Sequence, residues 1–358
     1  MSRLALPVLL QWIRLAAMLA FYLVLGTKEM SNYEPPLTVT PRMLALVAEI
    51  SEQVGQLTAY RDDALTPQLR RGNRIKTIQA SLAIENNTLS VEQVTAVLEG
   101  RRVLGLPREI QEVRNAFATY DAMPSWQPSR QADLLAAHAL LMHGLIDDAG
   151  HFRQGGVGIY RGARLLHMAP PANRVPLLVQ DLLRWLLRSE WHPLIVSCVF
   201  HYEFEFIHPF ADGNGRMGRL WQTLMLSQWR GVLAYLPVET VICEQQEQYY
   251  AALAAADHEA EATPFVEFML QALLQALVEA TSTDQVTDQV TDQVASLLSI
   301  LPPGKALKAS EIMQRLGLSH RPTFSKSYLK PALASGLVEM TDPDSPRSPN
   351  QQYRRVLK

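Results

Sequence analysis

At 358 residues the chain is long enough for two or three domains and a sizeable core, and its formal net charge of −2 singles out no class of partner. Two cysteines, Cys198 and Cys243, without paired spacing exclude a disulfide scaffold and a cysteine-held zinc site. Leucine, alanine and glutamine abound and glycine is sparse outside one short stretch, so a mainly α protein is expected.

The first 29 residues are apolar over Leu4 to Ile13 and Leu15 to Gly26, with Arg3 near the front, the pattern of a signal peptide or a weak anchor. Arg14 interrupts the apolar run near its middle, where a charge opposes a spanning helix. After Pro41 the spacing of Met43, Leu44, Val47, Ile50, Val54 and Leu57 predicts an amphipathic helix. Basic residues follow at Arg70, Arg71, Arg74 and Lys76, and Ile75 to Glu85 continues as a helix that ends in a carboxylate. A carboxylate so placed can hold an arginine that would otherwise hold a phosphate. Ser90 with Gln93 predicts a capping box and the start of the next helix.

From Leu104 to Leu145 the pattern is helical, through Ile110, Val113, Phe117, Tyr120, Leu134, Ala137 and Leu140. Gly150 to Gly156 breaks it and leads into a short strand at Val157 to Tyr160, with a second at Leu165 to Met168 before Pro170. His151, His167 and His201 lack ligand spacing and read as ordinary polar residues. Two apolar helices, Val175 to Leu187 and Pro193 to Ile207, then deliver His208.

The stretch from His208 to Arg219, His-Pro-Phe-Ala-Asp-Gly-Asn-Gly-Arg-Met-Gly-Arg, concentrates the chemistry. Gly213 and Gly215 allow the backbone to approach a ligand closely and to point successive N–H groups at an anion. The helix expected from about Arg216 adds the positive end of its dipole. Arg216 and Arg219, three apart, are expected to share one face and grip neighbouring phosphates. Asp212 is a hard oxygen donor suited to Mg²⁺, and His208, with an ordinary pKa of about 6.5, can take a proton from a hydroxyl. Beyond Leu220 to Trp229, Tyr249 and Tyr250 open another helix.

Thr283 to Val294 repeats Thr-Asp-Gln-Val three times and reads as a linker, or as a helix packing on a partner. Residues 301–358 carry ten Lys or Arg against four Asp or Glu. Helices are expected at Ser310 to Leu316 and Thr323 to Leu333, and strands at Leu337 to Met340 and Gln352 to Arg354. Arg321, Lys326 and Lys330 lie on or near the second of these helices.

The stretch at 208–219 resembles the signature of the Fic family, His-Pro-Phe-x-Asp/Glu-Gly-Asn-Gly-Arg-x-x-Arg, with every fixed position present. The resemblance implies a helical Fic bundle with a short β-hairpin flap that pins a target backbone, and transfer of AMP from Mg-ATP to a protein Ser, Thr or Tyr hydroxyl. It makes His208 the base, Asp212 the Mg²⁺ ligand, and Gly213, Asn214 and Gly215 the anion hole. Arg216 and Arg219 would hold the β and γ phosphates, and a tyrosine at 249 or 250 would line the adenine pocket, with core packing as the alternative.

Ser81-Leu82-Ala83-Ile84-Glu85-Asn86 resembles the family's inhibitory motif, Ser/Thr-x-x-x-Glu-Gly/Asn, which implies that Glu85 denies Arg219 to the γ phosphate. Arg153 stands where the family has an arginine before the flap; a salt bridge anchoring the loop is the simpler expectation. Residues 301–358 resemble a winged helix-turn-helix, so Arg321, Lys326 and Lys330 become candidate DNA contacts, with dimerisation or target docking as the alternative.

The expected domains are therefore an apolar extension at 1–29, a catalytic domain at 30–280 with the inhibitory helix around 75–86, a linker at 281–300 and the winged helix at 301–358. Met30 to Pro36 resembles the start of family members, so 1–29 is expected to be a start-site artefact, a membrane-tethered form being second. ATP dependence places the protein in the cytoplasm. Removal of AMP, transfer of another phosphate-containing group, and a nucleotide-sensing DNA-binding regulator are the competing functions.

Overall fold

The helical spacing after Pro41 is realised as α1, Pro41–Tyr60, whose Met43, Ile50 and Val54 are fully buried. The computed structural model describes residues 33–60, 67–161, 164–281, 292–302, 305–318, 320–334, 336–342, 348 and 351–356. The apolar extension at 1–29 lies outside the described residues, as does most of the Thr-Asp-Gln-Val repeat. Among the described residues no helix is long and apolar enough to cross a membrane. The chain is mainly α and divides into two units, one ending at Val278 and one beginning at Glu279.

In the first unit α2, Pro67–Ile84, is followed by α3, Val91–Leu98, which begins with the Ser90–Gln93 capping box. Next come α4, Pro107–Ala122, and α5, Gln131–Leu141, then the antiparallel hairpin of β1, Gly158–Arg161, and β2, Arg164–Met168. Gly158 pairs with Met168 and Ile159 with His167, and the register slips between Ile159 and Tyr160. After the hairpin run α6, Val175–Arg188, α7, Pro193–Ile207, and α8, Asn214–Trp229. The unit closes with α9, Val238–Glu244, α10, Gln246–Glu259, and α11, Thr263–Thr281.

The centre of this unit is the pair α7 and α8. Phe200, Phe204, Met217 and Trp221 are fully buried between and beside them, so burial of apolar surface sets where the intervening loop, 208–213, must lie. Gly218 permits the approach: a Cβ there would meet Cδ2 of His201 at 2.8 Å. Ile78, Leu82 and Ile84 of α2 are buried in the same core, and α2 packs along α9. Residues 33–38 strap across the outside. The Tyr33 hydroxyl donates to Glu203 at 2.6 Å, Trp185 Nε1 donates to Glu34 at 2.9 Å, and Ala262 N–H donates to the Pro36 carbonyl at 2.8 Å.

Helix α10 ends on Ala260, which takes a left-handed conformation at φ 58° while its N–H donates to the Ala256 carbonyl. An alanine there strains its Cβ against the following carbonyl, and glycine does not. Ala260→Gly is expected to stabilise the protein by about 1 kcal/mol, read as a higher midpoint in urea at unchanged slope. An unchanged or lower midpoint would show that the strain is relieved elsewhere.

In the second unit α12, Asp292–Ile300, precedes β3, Leu307–Lys308, and α13, Ala309–Arg315. A helical run then passes through Arg321–Thr323, Phe324–Leu329, wound as π-helix, and Lys330–Ala334. Two strands, β4, Val338–Met340, and β5, Gln352–Arg355, complete an antiparallel sheet ordered β3-β5-β4. Leu307 pairs with Tyr353 and Val338 with Arg355. Val294 and Leu297 are buried with Leu301, Leu307, Ile312 and Phe324, so the expected linker over 281–300 is corrected at its end. Its last nine residues are a helix of this core, because Val294, Leu297 and Leu301 recur at three-and-four spacing. Arg321, Lys326 and Lys330 are exposed on the helical run after the turn.

Candidate active site

His208 caps the C-terminus of α7 in a left-handed conformation, φ 50° and ψ 62°. The chain turns there and re-enters a helix within six residues, which directs loop 208–213 along the start of α8. Gly213, at φ 84°, makes the second reversal; a Cβ on it would meet Sδ of Met142 at 2.7 Å. Asn214 closes the loop from inside. Its Oδ1 accepts from Phe210 N–H and its Nδ2 donates to the Phe210 carbonyl, both at 2.9 Å. The expectation that Asn214 serves the anion hole is therefore narrowed to its backbone, since both ends of its carboxamide are committed to the loop.

His138 of α5, buried, supports the loop from below. Gly150 N–H donates to its Nδ1 at 2.9 Å, so Nε2 carries the proton and donates to the Asp212 carbonyl at 3.0 Å. Its ring stacks on Phe210 at 3.6 Å. Burial lowers its pKa to about 4. Between that value and the ordinary 6.5 the unfolded chain binds a proton that the folded chain excludes, so this contribution is complete above pH 6.5 and lost as pH falls toward 4. The loss is expected to reach about 3 kcal/mol, and His201, held to about 3 by burial, adds in the same direction. Urea unfolding at pH 7 and pH 4.5 measures the slope, and His138→Gln should flatten it; equal slopes in the two proteins would remove His138 as the cause.

Arg216 and Arg219 begin α8 three residues apart, yet in this structure their side chains diverge to different partners. Arg216 Nη2 donates to Asp212 Oδ1 at 3.0 Å and Nη1 lies 3.5 Å from Glu112 Oε1. Arg108 of α4 reaches the other Asp212 oxygen, also at 3.0 Å. Each carboxylate here faces a guanidinium, so Asp212 and Arg216 hold each other in this state.

Arg219 turns the other way. Its side chain is 1% exposed; Nε donates to Ser81 Oγ and Nη2 to the Ser81 carbonyl, both at 3.0 Å, and Nη2 to Glu85 Oε1 at 2.7 Å. Burial alone would depress the Arg219 pKa; the Glu85 carboxylate and the buried Tyr249 outweigh it, and the net shift is upward. A Cβ on Gly215 would collide with Glu85 Oε1 and lie 3.1 Å from Arg219 Nη1. Glu85 thus brings a negative charge to the first turn of α8, the place where a helix N-terminus favours an anion.

Asn86 makes this delivery possible. At φ 69° it ends the segment in the left-handed region, which glycine and asparagine tolerate best. Asn87 then donates to Glu112 Oε2 at 2.9 Å, and Gln246 Nε2 of α10 donates to the Ile84 carbonyl at 2.9 Å.

A cavity opens above Gly215, lined by Glu85, His208, Arg219, Tyr250, Leu253 and Asp257 among others. Tyr249 also borders it but is 2% exposed, with its hydroxyl 3.2 Å from Nε2 of His201. Tyr250 is the more open of the two rings. The structure therefore joins Ser81, Glu85, His208, Gly215, Arg219 and both tyrosines, with Asp212 and Arg216 on the other side of the loop. Arg321, Lys326 and Lys330 belong to the other unit.

Arg108, Glu112, His138 and Gln246 were not singled out by the sequence. Their partners are distant in the chain, and two of them hold backbone carbonyls, which leave no pattern. His138 alone had a signal, a histidine at helical spacing between Leu134 and Leu141, where an imidazole needs a buried partner.

A model of the Fic/DOC family matches residues 128–226, and one of the C-terminal domain of Fic-like proteins, "Filamentation induced by cAMP protein Fic-like", matches 292–355. The protein adenylyltransferase Fic of Drosophila melanogaster is 31% identical over 203 residues, 54% of this chain and 39% of that protein. The chain thus spans about two-fifths of the length of such curated relatives. A crystal structure of a Fic family protein from Desulfovibrio desulfuricans G20 is 64% identical, covers 91% of this chain and 99% of its own, and superposes with a TM-score of 0.69. Fic-1 of C. elegans, residues 134–508, shares the fold at 23% identity and a TM-score of 0.55, covering 69% of this chain and 75% of that one. High identity over nearly the whole of a solved relative, together with the two family matches, leads to one conclusion: the chain belongs to the Fic family and carries a Fic-like C-terminal domain.

Proposed function

We propose that this protein transfers AMP from Mg-ATP to a hydroxyl side chain of a target protein, itself included, and that Glu85 restrains the reaction. Fic family members are typically nucleotidyltransferases that use ATP and Mg²⁺. The observation that carries the reading is the Glu85 carboxylate, lodged against Gly215 at the start of α8 and bonded to Arg219 at 2.7 Å. An internal anion occupying an anion's place, beside a histidine, describes a phosphate site held by its own inhibitor.

The residues fit the two ligands. The Gly215 backbone lets the Glu85 carboxylate approach closely, as phosphate oxygens would in its place, and Tyr250 with Leu253 offers an aromatic and apolar wall for a base. Asp212 is a single carboxylate, 40% exposed, and among the described residues no three His, Cys, Asp or Glu side chains are placed to hold a metal. That suits an ion that keeps most of its waters and arrives with polyphosphate. Bound at Asp212, Mg²⁺ would neutralise negative charge building on the phosphates.

In the proposed reaction the target hydroxyl oxygen attacks the α phosphorus while His208 takes its proton. The bond from that phosphorus to the bridging oxygen of the β phosphate breaks, and pyrophosphate leaves. Arg219, once free of Glu85, binds the γ phosphate, and Arg216 turns from Asp212 to the β phosphate. ATP supply makes the cytoplasm the place of action.

Incubation of the full chain with ATP and Mg²⁺ followed by intact-mass analysis tests the reading. An added mass of one adenylyl group supports it; an added phosphate, or another donor group, would assign a different transfer. Loss of AMP from a premodified protein without any gain would make removal the main activity. ATP binding with no mass change in any variant would favour the nucleotide-sensing regulator, and salt-dependent DNA binding through Arg321, Lys326 and Lys330 would strengthen that second reading.

A further inference from the structure

Arg153 lies just before the hairpin, is 2% exposed, and makes its contacts with backbone carbonyls. Nε donates to the His208 carbonyl at 2.7 Å, Nη1 to Gly155 at 2.8 Å, and Nη2 to Pro170 at 2.5 Å and Ile207 at 3.3 Å. Its own N–H donates to the Pro209 carbonyl at 3.0 Å. In place of the expected salt bridge, a cage of backbone carbonyls holds the guanidinium. Gly155 and Pro170 are the two roots of the hairpin, and Ile207 to Pro209 is the turn that carries His208.

Three features make this more than packing. A guanidinium offers five donors in one plane, and four carbonyls at three separate chain positions use that fork as no other side chain could. Its charge sits at the C-terminal end of α7, where carbonyls lack helical partners and a cation is favoured. His208 itself holds a left-handed conformation that strains a non-glycine residue, so something must keep it there.

We propose that Arg153 is the positioning residue of the site, locking the backbone of His208 to both roots of the hairpin so that imidazole and target strand share one frame. This rests on the reading of His208 as the base. The phosphate cradle is held separately, by Asn214 on Phe210 and by His138 on Asp212. Loss of the Arg153 cage therefore disturbs proton removal while leaving nucleotide binding in place.

The test uses the full chain carrying Glu85→Gly, alone and with Arg153→Lys or Arg153→Gln, and follows self-modification with ATP and Mg²⁺. A lysine keeps the charge but replaces the fork by a single ammonium. The expected result is a fall in kcat of at least about tenfold in both variants, with KM for ATP within about twofold and similar binding of a fluorescent ATP analogue. An unchanged kcat overturns the proposal, and so does a fall in kcat matched by lost nucleotide binding, which is the mark of a merely structural residue. Failure of the Glu85→Gly protein to transfer AMP with Arg153 intact would instead reject the reading of the site.

If neither variant folds, the Nε–H signal of Arg153 in ¹⁵N-labelled wild type decides. Slow solvent exchange that persists with Mg²⁺ and a non-hydrolysable ATP analogue supports the cage; exchange as fast as that of exposed arginines overturns it.

Discussion

His208→Ala is expected to abolish AMP transfer, with a loss of at least about a hundredfold measured against a Glu85→Gly background. A positioned general base contributes roughly 10²–10⁴ in rate, and His208 is the imidazole that lines the cavity. The substitution removes no group of the phosphate cradle, so affinity for ATP should stay within about twofold. Melting temperature is the control, because His208 sits in a strained turn and alanine is no better suited to it. Transfer at an undiminished rate would end the assignment of the base and, with it, the proposed reaction.

Glu85→Gly is expected to act in the opposite direction, raising self-modification by roughly ten- to a hundredfold. The Glu85–Arg219 contact at 2.7 Å is a charge-assisted hydrogen bond to a side chain that is 1% exposed, a class worth about 1.5–3 kcal/mol. Arg219 keeps its two bonds to Ser81, so the guanidinium remains anchored and is only released from the carboxylate. The measurement is incorporation of labelled AMP over time in wild type and variant. Equal rates would show that the carboxylate gives way to ATP without cost and that restraint lies elsewhere.

Much of this was legible in the sequence because it depends on local pattern. The α7 to α8 connection was readable from an apolar helix, a histidine and a glycine-rich turn, and Ser81, Glu85 and Asn86 from their resemblance to the family's inhibitory motif. The hairpin was readable from alternation between glycines and prolines. What escaped was the response of these residues to one another in the folded state. Arg216 looked like a partner for Arg219, but Asp212 and Glu112 draw it away, and Glu112 comes from a helix whose approach no spacing announces. Asn214 was placed in the anion hole by resemblance, and no pattern showed that its carboxamide closes its own loop on Phe210, four residues back. At the second unit, the repeat read as a linker because its composition is monotonous, while its final valine is a core residue.

The packing of α2 bears on how restraint can be lifted. Ile78, Leu82 and Ile84 are buried, and Gln246 fastens the Ile84 carbonyl to α10. Peeling the helix away would expose several aliphatic side chains at roughly 1.5–3 kcal/mol each, far above the worth of one ionic contact. Glu85, by contrast, is 35% exposed at the helix's very end and needs only a change of rotamer, a motion of picoseconds to nanoseconds when solvent is near. Under the proposed function the brake is a swivelling side chain on a fixed mount, and an activating signal would compete for a single carboxylate rather than dislodge a domain.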